Sequence, residues 1–291
     1  MKIRKKIGLV IFIAFNLLTQ STFAQSSVWK VSKGGNYFYI AGTIETPLVN
    51  AYPLPKEFDL AYQKSDEIIS EADYAIQSTQ EAEIIAASSY TGNHTLTSEL
   101  TPKNYRKFGV LLASYELPID LFSKFKPWPI YTVVMTKEYD KISTAKKEVD
   151  VTSHFTSLAR REGKKVSGMQ TAKDSLDSIK LLGLFDSNDA VEYILRDIKR
   201  LPAYMKITNE TLRNGDMDFL SNSPVVTQMK NDIPAIYYAL TTDRINQWMA
   251  LLPSLVKDKK VEFALIDTMN LGGEDGILNR LKRQGFIVSH L

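Results

Sequence analysis

Acidic and amide side chains follow two apolar segments near opposite ends of the chain. Residues 37–41 read as a strand that leads into a turn ending at Glu45, and residues 261–266 read as a strand that leads into Asp267 and Asn270. In α/β proteins such turns lie at a sheet edge, where binding and catalytic groups are commonly placed. Carboxylate and amide oxygens are ligands of Mg²⁺, Ca²⁺ and Mn²⁺. The two turns therefore predict a polar site with oxygen donors.

Two strand-turn-helix units, one at each end, organise the predicted fold. The second unit contains the strand at 261–266, a glycine-rich turn and a final strand at 286–288. Apolar residues at helical spacing and the positions of proline and glycine predict helices over 102–115, 151–161, 190–205, 233–252 and 277–283. We predict a single α/β domain with a central mixed sheet, the two units in pseudo-twofold relation, and a large helical insertion between them.

The first residues have the pattern of a secretory signal. Four cations between Lys2 and Lys6 precede the apolar run 7–18 and a small-residue exit at Ala24. The run is too short for a membrane span, so residues 1–24 are predicted to be a cleaved signal peptide. Residues 25–291 then form one domain in the periplasm or outside the cell, with no stable membrane span. Retention of the first segment as an anchor is the alternative.

Composition excludes several classes of protein. The chain has no cysteine, which excludes a lipobox, a disulfide framework and a thiolate metal site. The formal net charge of +3 includes the four signal cations, so the remaining chain carries −1. This balance indicates no nucleic-acid partner. The three histidines are not spaced as in a zinc-binding helix, and no phosphate-binding loop occurs.

Ordered motifs along nearly the whole chain resemble the TraB/GumN (TraB/PrgY/GumN) family, which includes the Tiki-type proteases. The motifs are the segments 29–44, 52–55, 65–73, 125–128, 148–150, 163–171, 243–248 and 272–286. The resemblance implies a Tiki/TraB-like fold. It also implies descent from metal-dependent peptidases, because in that family each of the two turns is Gly-x-x-His and the two histidines bind a catalytic divalent metal.

The resemblance implies five site positions, and most of them are altered here. Glu45 and Asn270 stand where the family has histidine, and Gln170 stands where it has a glutamate. Glu71 matches a glutamate of the family, and Arg244 matches the arginine of its Glu-Arg-Asn segment. Both Gly-x-x-His metal motifs are therefore altered.

Two interpretations of these positions follow. Carboxylates of Glu45, Glu71 and Asp267, with carbonyls of Asn270 and Gln170, can offer an oxygen-only site to Mn²⁺, Mg²⁺ or Ca²⁺, whereas zinc is disfavoured. Alternatively, the two amides hydrogen-bond the turns that once held ligands, and the protein has no cofactor.

Arg244 also has more than one interpretation. Its guanidinium can pair with Glu71, or it can clamp a substrate carboxylate. It can equally form a structural ion pair with a nearby acid such as Asp243.

Two main functions remain open from sequence. The first is a noncatalytic or repurposed member of the family that binds a peptide, a glycan or a partner protein in the inherited cleft. The second is an active metal-dependent hydrolase or peptidase with an oxygen-only site at Glu45, Glu71 and Asp267. A structural component of the cell envelope is a third possibility. The sequence indicates neither the ligand nor the oligomeric state.

Overall fold

A computed structural model describes residues 26–44, 52–72, 81–142 and 149–291. The predicted signal peptide and Glu45 lie outside these ranges. Within them, no helix combines the length and the apolar character that a membrane crossing requires.

A mixed sheet of six strands forms the centre of the described fold. The strands are β1 Val28–Lys33, β2 Asn36–Thr43, β3 Glu67–Ala72, β4 Lys165–Gln170, β5 Glu262–Asp267 and β6 Ile287–His290. Their order in the sheet is β4-β3-β5-β2-β1-β6. The neighbours from β4 to β2 are parallel, and β1 is antiparallel to both β2 and β6. The predicted central mixed sheet is confirmed.

Helices fill the connections between the strands. They are α1 Lys56–Gln63, α2 Glu81–Ser88, α3 Leu96–Glu99, α4 Pro102–Ala113, α5 Pro127–Ile142, α6 Val151–Glu162, α7 Ala172–Leu182, α8 Ser187–Asp197, α9 Leu201–Asn214, α10 Met217–Ser221, α11 Pro224–Asp232, α12 Pro234–Tyr238, α13 Arg244–Leu251 and α14 Ile277–Arg283. The helices from α2 to α13 form the predicted insertion, which β4 divides into two parts. The pseudo-twofold relation of the end units stays a prediction.

Apolar side chains cover both faces of the sheet. Along β5, Phe263 and Leu265 face one core, whereas Ala264 and Ile266 face the other. Helices α1 and α6 cover the first face, and α13 and α14 cover the second. A strand buried on both faces lacks the apolar and polar alternation of an exposed strand, which is why β5 reads as one apolar run.

Local sequence signals place several helix ends where they were predicted. Thr101 caps α4, with Pro102 as the first helical residue, because its hydroxyl accepts from the Asn104 amide. Gly163 ends α6 at a φ of 76°, a left-handed conformation that favours glycine.

Strands β1 and β6, the first and last along the described chain, are neighbours in the sheet. Trp29 lies opposite His290, and the Leu291 amide donates to the Val28 carbonyl at 3.0 Å. At the other end of β1, a hairpin turn through Gly34 and Gly35 leads into β2. The two ends of the described chain therefore meet at one corner of the sheet.

Gly272 lies against the main chain of α10. A Cβ atom at this position would be 2.1 Å from the Met217 carbonyl oxygen. We expect Gly272→Ala to lower the free energy of unfolding by about 3 kcal/mol, because main-chain atoms on both sides must move. Gly35→Ala is the control, because a Cβ at Gly35 would meet no atom within 4 Å while the φ is 93°. This change should lower the free energy of unfolding by about 1 kcal/mol. Urea denaturation measures both, and equal effects would contradict the close approach.

Candidate functional site at the carboxyl edge of the sheet

Parallel strands bring the predicted site residues to one edge of the sheet. Thr43 at the end of β2 lies opposite Asp267 at the end of β5, and Ala72 at the end of β3 lies opposite Gln170 at the end of β4. Glu71 is the residue before Ala72. These residues lie about 100 to 200 positions apart in the sequence and reach the same edge because the strands run in the same direction.

Glu71 is the centre of the polar network at this edge. One carboxylate oxygen, Oε1, accepts from the Asp267 amide at 2.7 Å and from the Asn270 Nδ2 at 3.3 Å. The Glu71 side chain is only 10% exposed. A carboxylate buried to this degree needs partners that offset the loss of hydration, and two N–H donors supply part of that compensation.

Arg244 supplies the opposite charge. It is the first residue of α13, directly after a π-helical segment at Ala239–Asp243. Its Nη1 lies 3.9 Å from Oε2 of Glu71. Arg244 and Glu71 thus form an ion pair, and the two oxygens of the carboxylate face different partners.

A short turn after β5 sets the positions of Asp267 and Asn270. The segment Thr268–Asn270 forms one turn of 3₁₀ helix, and Asp267 caps it by accepting from the Met269 amide at 2.8 Å. Asn270 is buried, and its Nδ2 donates to Glu71 on the neighbouring strand β3. Two atoms beside the network, Asn270 Oδ1 and Arg244 Nε, are buried without a hydrogen-bond partner in the described part of the chain.

The predicted site residues divide into three groups. Glu71, Asp267, Asn270 and Arg244 come together in one network. Gln170 is buried at the end of β4, one strand away from Glu71. Glu45 lies outside the described residues, so its place relative to the network stays a prediction.

The described residues do not fit the divalent metal that the family resemblance implies. Oε1 of Glu71 already accepts two N–H groups, and the guanidinium of Arg244 lies beside Oε2. A fixed positive charge at this distance disfavours a second cation on the same carboxylate. In the described ranges, no three acidic or histidine side chains are close enough to hold a metal ion together.

A cavity of about 380 Å³ adjoins the network. The sheet edge contributes Ile44, Asp267 and Met269 to its wall, and the insertion contributes residues of α5, α8, α9, α11 and α12. Most of the wall is apolar. Its aromatic side chains are Trp128, Tyr131, Tyr139, Phe185, Tyr193 and Tyr204. The volume falls within the range of about 300–1,000 Å³ that is usual for small-molecule sites.

Charged groups in the cavity wall have partners within the protein. The Tyr131 hydroxyl donates to Asp197 Oδ2, and burial followed by the charge of Asp197 raises the pKa of Tyr193. Arg200 donates from Nη1 to Asp232 Oδ2 at 2.9 Å. The helical side of the wall is therefore a set of prepaired charges among apolar groups.

Tyr204, on α9, belongs to the cavity wall. Burial and then the Asp267 carboxylate raise its pKa well above the ordinary value, and Asp197 acts in the same direction. The phenol therefore stays neutral at ordinary pH, and both carboxylates lie close enough to affect it. Of the cavity wall, sequence reasoning identified only Asp267. The other side chains come mostly from helices that are far apart in the chain. In the sequence they are indicated only by tyrosines on the apolar faces of separate helices.

Comparison with known protein families gives a match over nearly the whole chain. The model of the TraB/PrgY/gumN family matches residues 27–290, which is nearly the whole chain. No curated protein and no solved structure matches the chain significantly.

Proposed function

Because the chain belongs to the TraB/PrgY/gumN family, we propose that it is an exported, noncatalytic member of that family, which binds a ligand in the cavity at the carboxyl edge of the sheet. Its place would be the periplasm or the outside of the cell, as the signal-like first residues predict. Peptides, glycans and partner proteins are the ligand classes that the family resemblance suggests.

One observation carries the proposal. The Glu71 carboxylate accepts from Asp267 and Asn270 and pairs with Arg244. In a metallohydrolase this carboxylate would direct its lone pairs to the metal, whose bound water becomes the nucleophile. Here the same lone pairs face protein donors. The Glu71 network therefore supports a structural role for Glu71, the residue that matches the family's glutamate.

The neighbouring cavity supports the binding part of the proposal. Asp267 belongs both to the Glu71 network and to the cavity wall, so the altered turn and the cavity are continuous. A family member that has lost its metal keeps this concave, largely apolar surface. Function belongs to such a site rather than to the fold, and a cavity with few polar groups favours binding over hydrolysis.

Metal addition tests the noncatalytic assignment. Suppose that a site metal has a dissociation constant of about 1 μM, and that each of Mn²⁺, Mg²⁺, Ca²⁺ and Zn²⁺ is added at about 100 times that value. We expect the melting temperature of residues 25–291 to shift by less than about 1 °C. A metal bound to the native state would add about 2.7 kcal/mol at that excess, which corresponds to a rise of about 5–10 °C. Differential scanning fluorimetry measures the shift.

Matched variants distinguish a metal bound at the predicted oxygen site from a metal bound elsewhere on the surface. A rise for the unmodified protein that disappears in both Glu45→Gln and Glu71→Gln would overturn the proposal. That result, together with peptide cleavage that the two variants lose, would establish the oxygen-only hydrolase site instead.

A further inference from the structure

The cavity beside the Glu71 network is lined by side chains that the fold covers. In its described wall, Thr132 is the one exposed residue, and the others are half-buried or buried. Side chains of five helices and of the sheet edge surround the space. With a volume of about 380 Å³, it can hold a small molecule but not a folded partner protein.

The charged groups of the wall already have partners. Arg200 donates to Asp232 at 2.9 Å, and Arg196 lies 3.7 Å from the same carboxylate. Together with Asp197, these side chains carry two positive and two negative charges, which cancel. Asp267 accepts from the main chain of its own turn. A charged ligand would therefore lose its hydration among apolar groups without gaining an unpaired counter-charge, and such a transfer is costly.

Tyr204 offers a hydrogen-bonding group to the cavity. Burial is the largest cause that raises its pKa, so the phenol faces the interior and stays neutral. Its hydroxyl has no hydrogen-bond partner among the described residues. The hydroxyl oxygen is nevertheless accessible, in contrast to the Trp128 indole nitrogen, which is buried without a partner there. The Tyr204 hydroxyl is therefore placed to donate to a molecule in the cavity.

We infer that the cavity binds a small uncharged molecule that has an apolar, aromatic body and an oxygen that accepts from the Tyr204 hydroxyl. The six aromatic residues of the wall suit such a body, because aromatic rings attract one another in offset and edge-to-face arrangements. This inference rests on the proposed noncatalytic binding function, because it names the ligand class of the same site. It favours such a molecule over a glycan or a charged peptide, whose many polar groups would find few partners in this wall.

Four naphthalene derivatives of similar shape test the charge of the ligand. They are 2-acetylnaphthalene with an acceptor oxygen, 2-isopropylnaphthalene without one, the anion 2-naphthoate, and the cation 1-(2-naphthyl)ethylammonium. Calorimetric titration of the protein measures the dissociation constant of each probe. We expect the two uncharged probes to bind at least about tenfold more tightly than the two ions, because an ion leaves water here without meeting an unpaired counter-charge.

Three variants test the position of the ligand. Tyr204→Phe removes only the hydroxyl, so it should weaken binding of 2-acetylnaphthalene about fivefold and change that of 2-isopropylnaphthalene less than about twofold. Tyr238→Phe is the matched control and should change neither, since Tyr238 is 47% exposed and lies outside the wall. Leu240→Trp fills part of the cavity and should abolish binding of both uncharged probes. Leu240 is only partly buried, so this variant tests the cavity even if Tyr204→Phe fails to fold.

The contrary results separate this inference from the proposed function. Equal binding of the four probes would overturn the uncharged class of ligand. Equal weakening of both uncharged probes by Tyr204→Phe would overturn the position of the acceptor oxygen, and no binding by either would overturn the whole inference. These results would leave the noncatalytic assignment intact. Metal-dependent cleavage would instead overturn that assignment, whatever the probes do.

Discussion

Replacing Glu71 with alanine is expected to lower the free energy of unfolding by about 3 kcal/mol. The change leaves Arg244 without its counter-charge and removes the acceptor of the Asp267 amide and the Asn270 side chain. Loss of one partner of a buried ion pair typically costs about 3–5 kcal/mol, and the low end applies because Arg244 is partly exposed. Urea denaturation in the presence of EDTA measures the effect.

Two further variants define the role of Glu71. Glu71→Gln also removes the counter-charge of Arg244 but keeps an acceptor oxygen for the two N–H donors, so it should cost about 2 kcal/mol, less than Glu71→Ala. The double variant Glu71→Ala with Arg244→Leu should cost less than the sum of the single changes, because no unpaired charge remains. If Glu71→Ala were more stable than the unmodified protein in EDTA, the structural role would be contradicted. A buried carboxylate that serves as a metal ligand destabilises the protein when the metal is absent, so its removal would raise the stability.

The second large effect is expected at the opposite end of β5. Glu262 lies opposite Glu67 on β3, and its Oε2 is buried without a hydrogen-bond partner in the described part of the chain. Burial, with smaller contributions from Asp258 and Glu67, raises the pKa of Glu262 to about 7. Glu67 differs because Lys165 and Ser167 donate to it at 2.8 and 2.7 Å. Of the two carboxyl groups, Glu262 is therefore the one that stays protonated up to about pH 7.

Stability should fall as the pH rises because of Glu262. Between the unfolded pKa of about 4.5 and the folded pKa of about 7, the native protein binds a proton that the unfolded chain has released. This group should therefore remove about 2–3 kcal/mol of stability between pH 5 and pH 8. Glu262→Gln should be more stable than the unmodified protein by about that amount at pH 8, as measured by urea denaturation at the two pH values.

The control for Glu262 is an exposed acid. Glu274 is exposed on the turn before α14, so Glu274→Gln should leave the pH dependence of stability unchanged. If Glu262→Gln and the unmodified protein lost stability in parallel from pH 5 to pH 8, the buried proton would be located on another group.

Sequence patterns predicted much of the fold because its signals are local. The apolar run of β5 and the glycine that ends α6 appear within a few residues of the elements they define. Family membership was equally accessible, since motifs in order along the chain carry it. The partners of Glu71 were less accessible. Arg244 reaches it from a helix 173 positions later in the chain, and three interpretations of that arginine fit the sequence equally well.

The cavity could not be predicted from sequence. Its aromatic residues look like ordinary core positions of separate helices, and whether such side chains meet or leave a space depends on how the helices pack. The pairing of Glu67 and Glu262 also depends on strand register, which places two acids side by side although nothing in either strand alone shows it.

The corner where β1 and β6 meet gives the molecule an uneven response to mechanical force. Tension applied between Val28 and Leu291 would separate adjacent ends of two antiparallel strands, which are joined there by the Leu291 amide and the Val28 carbonyl. The hydrogen bonds of this ladder would then be loaded one after another, as in a zipper, instead of all together as in shear. A protein held by these two points would therefore open from this corner at low force.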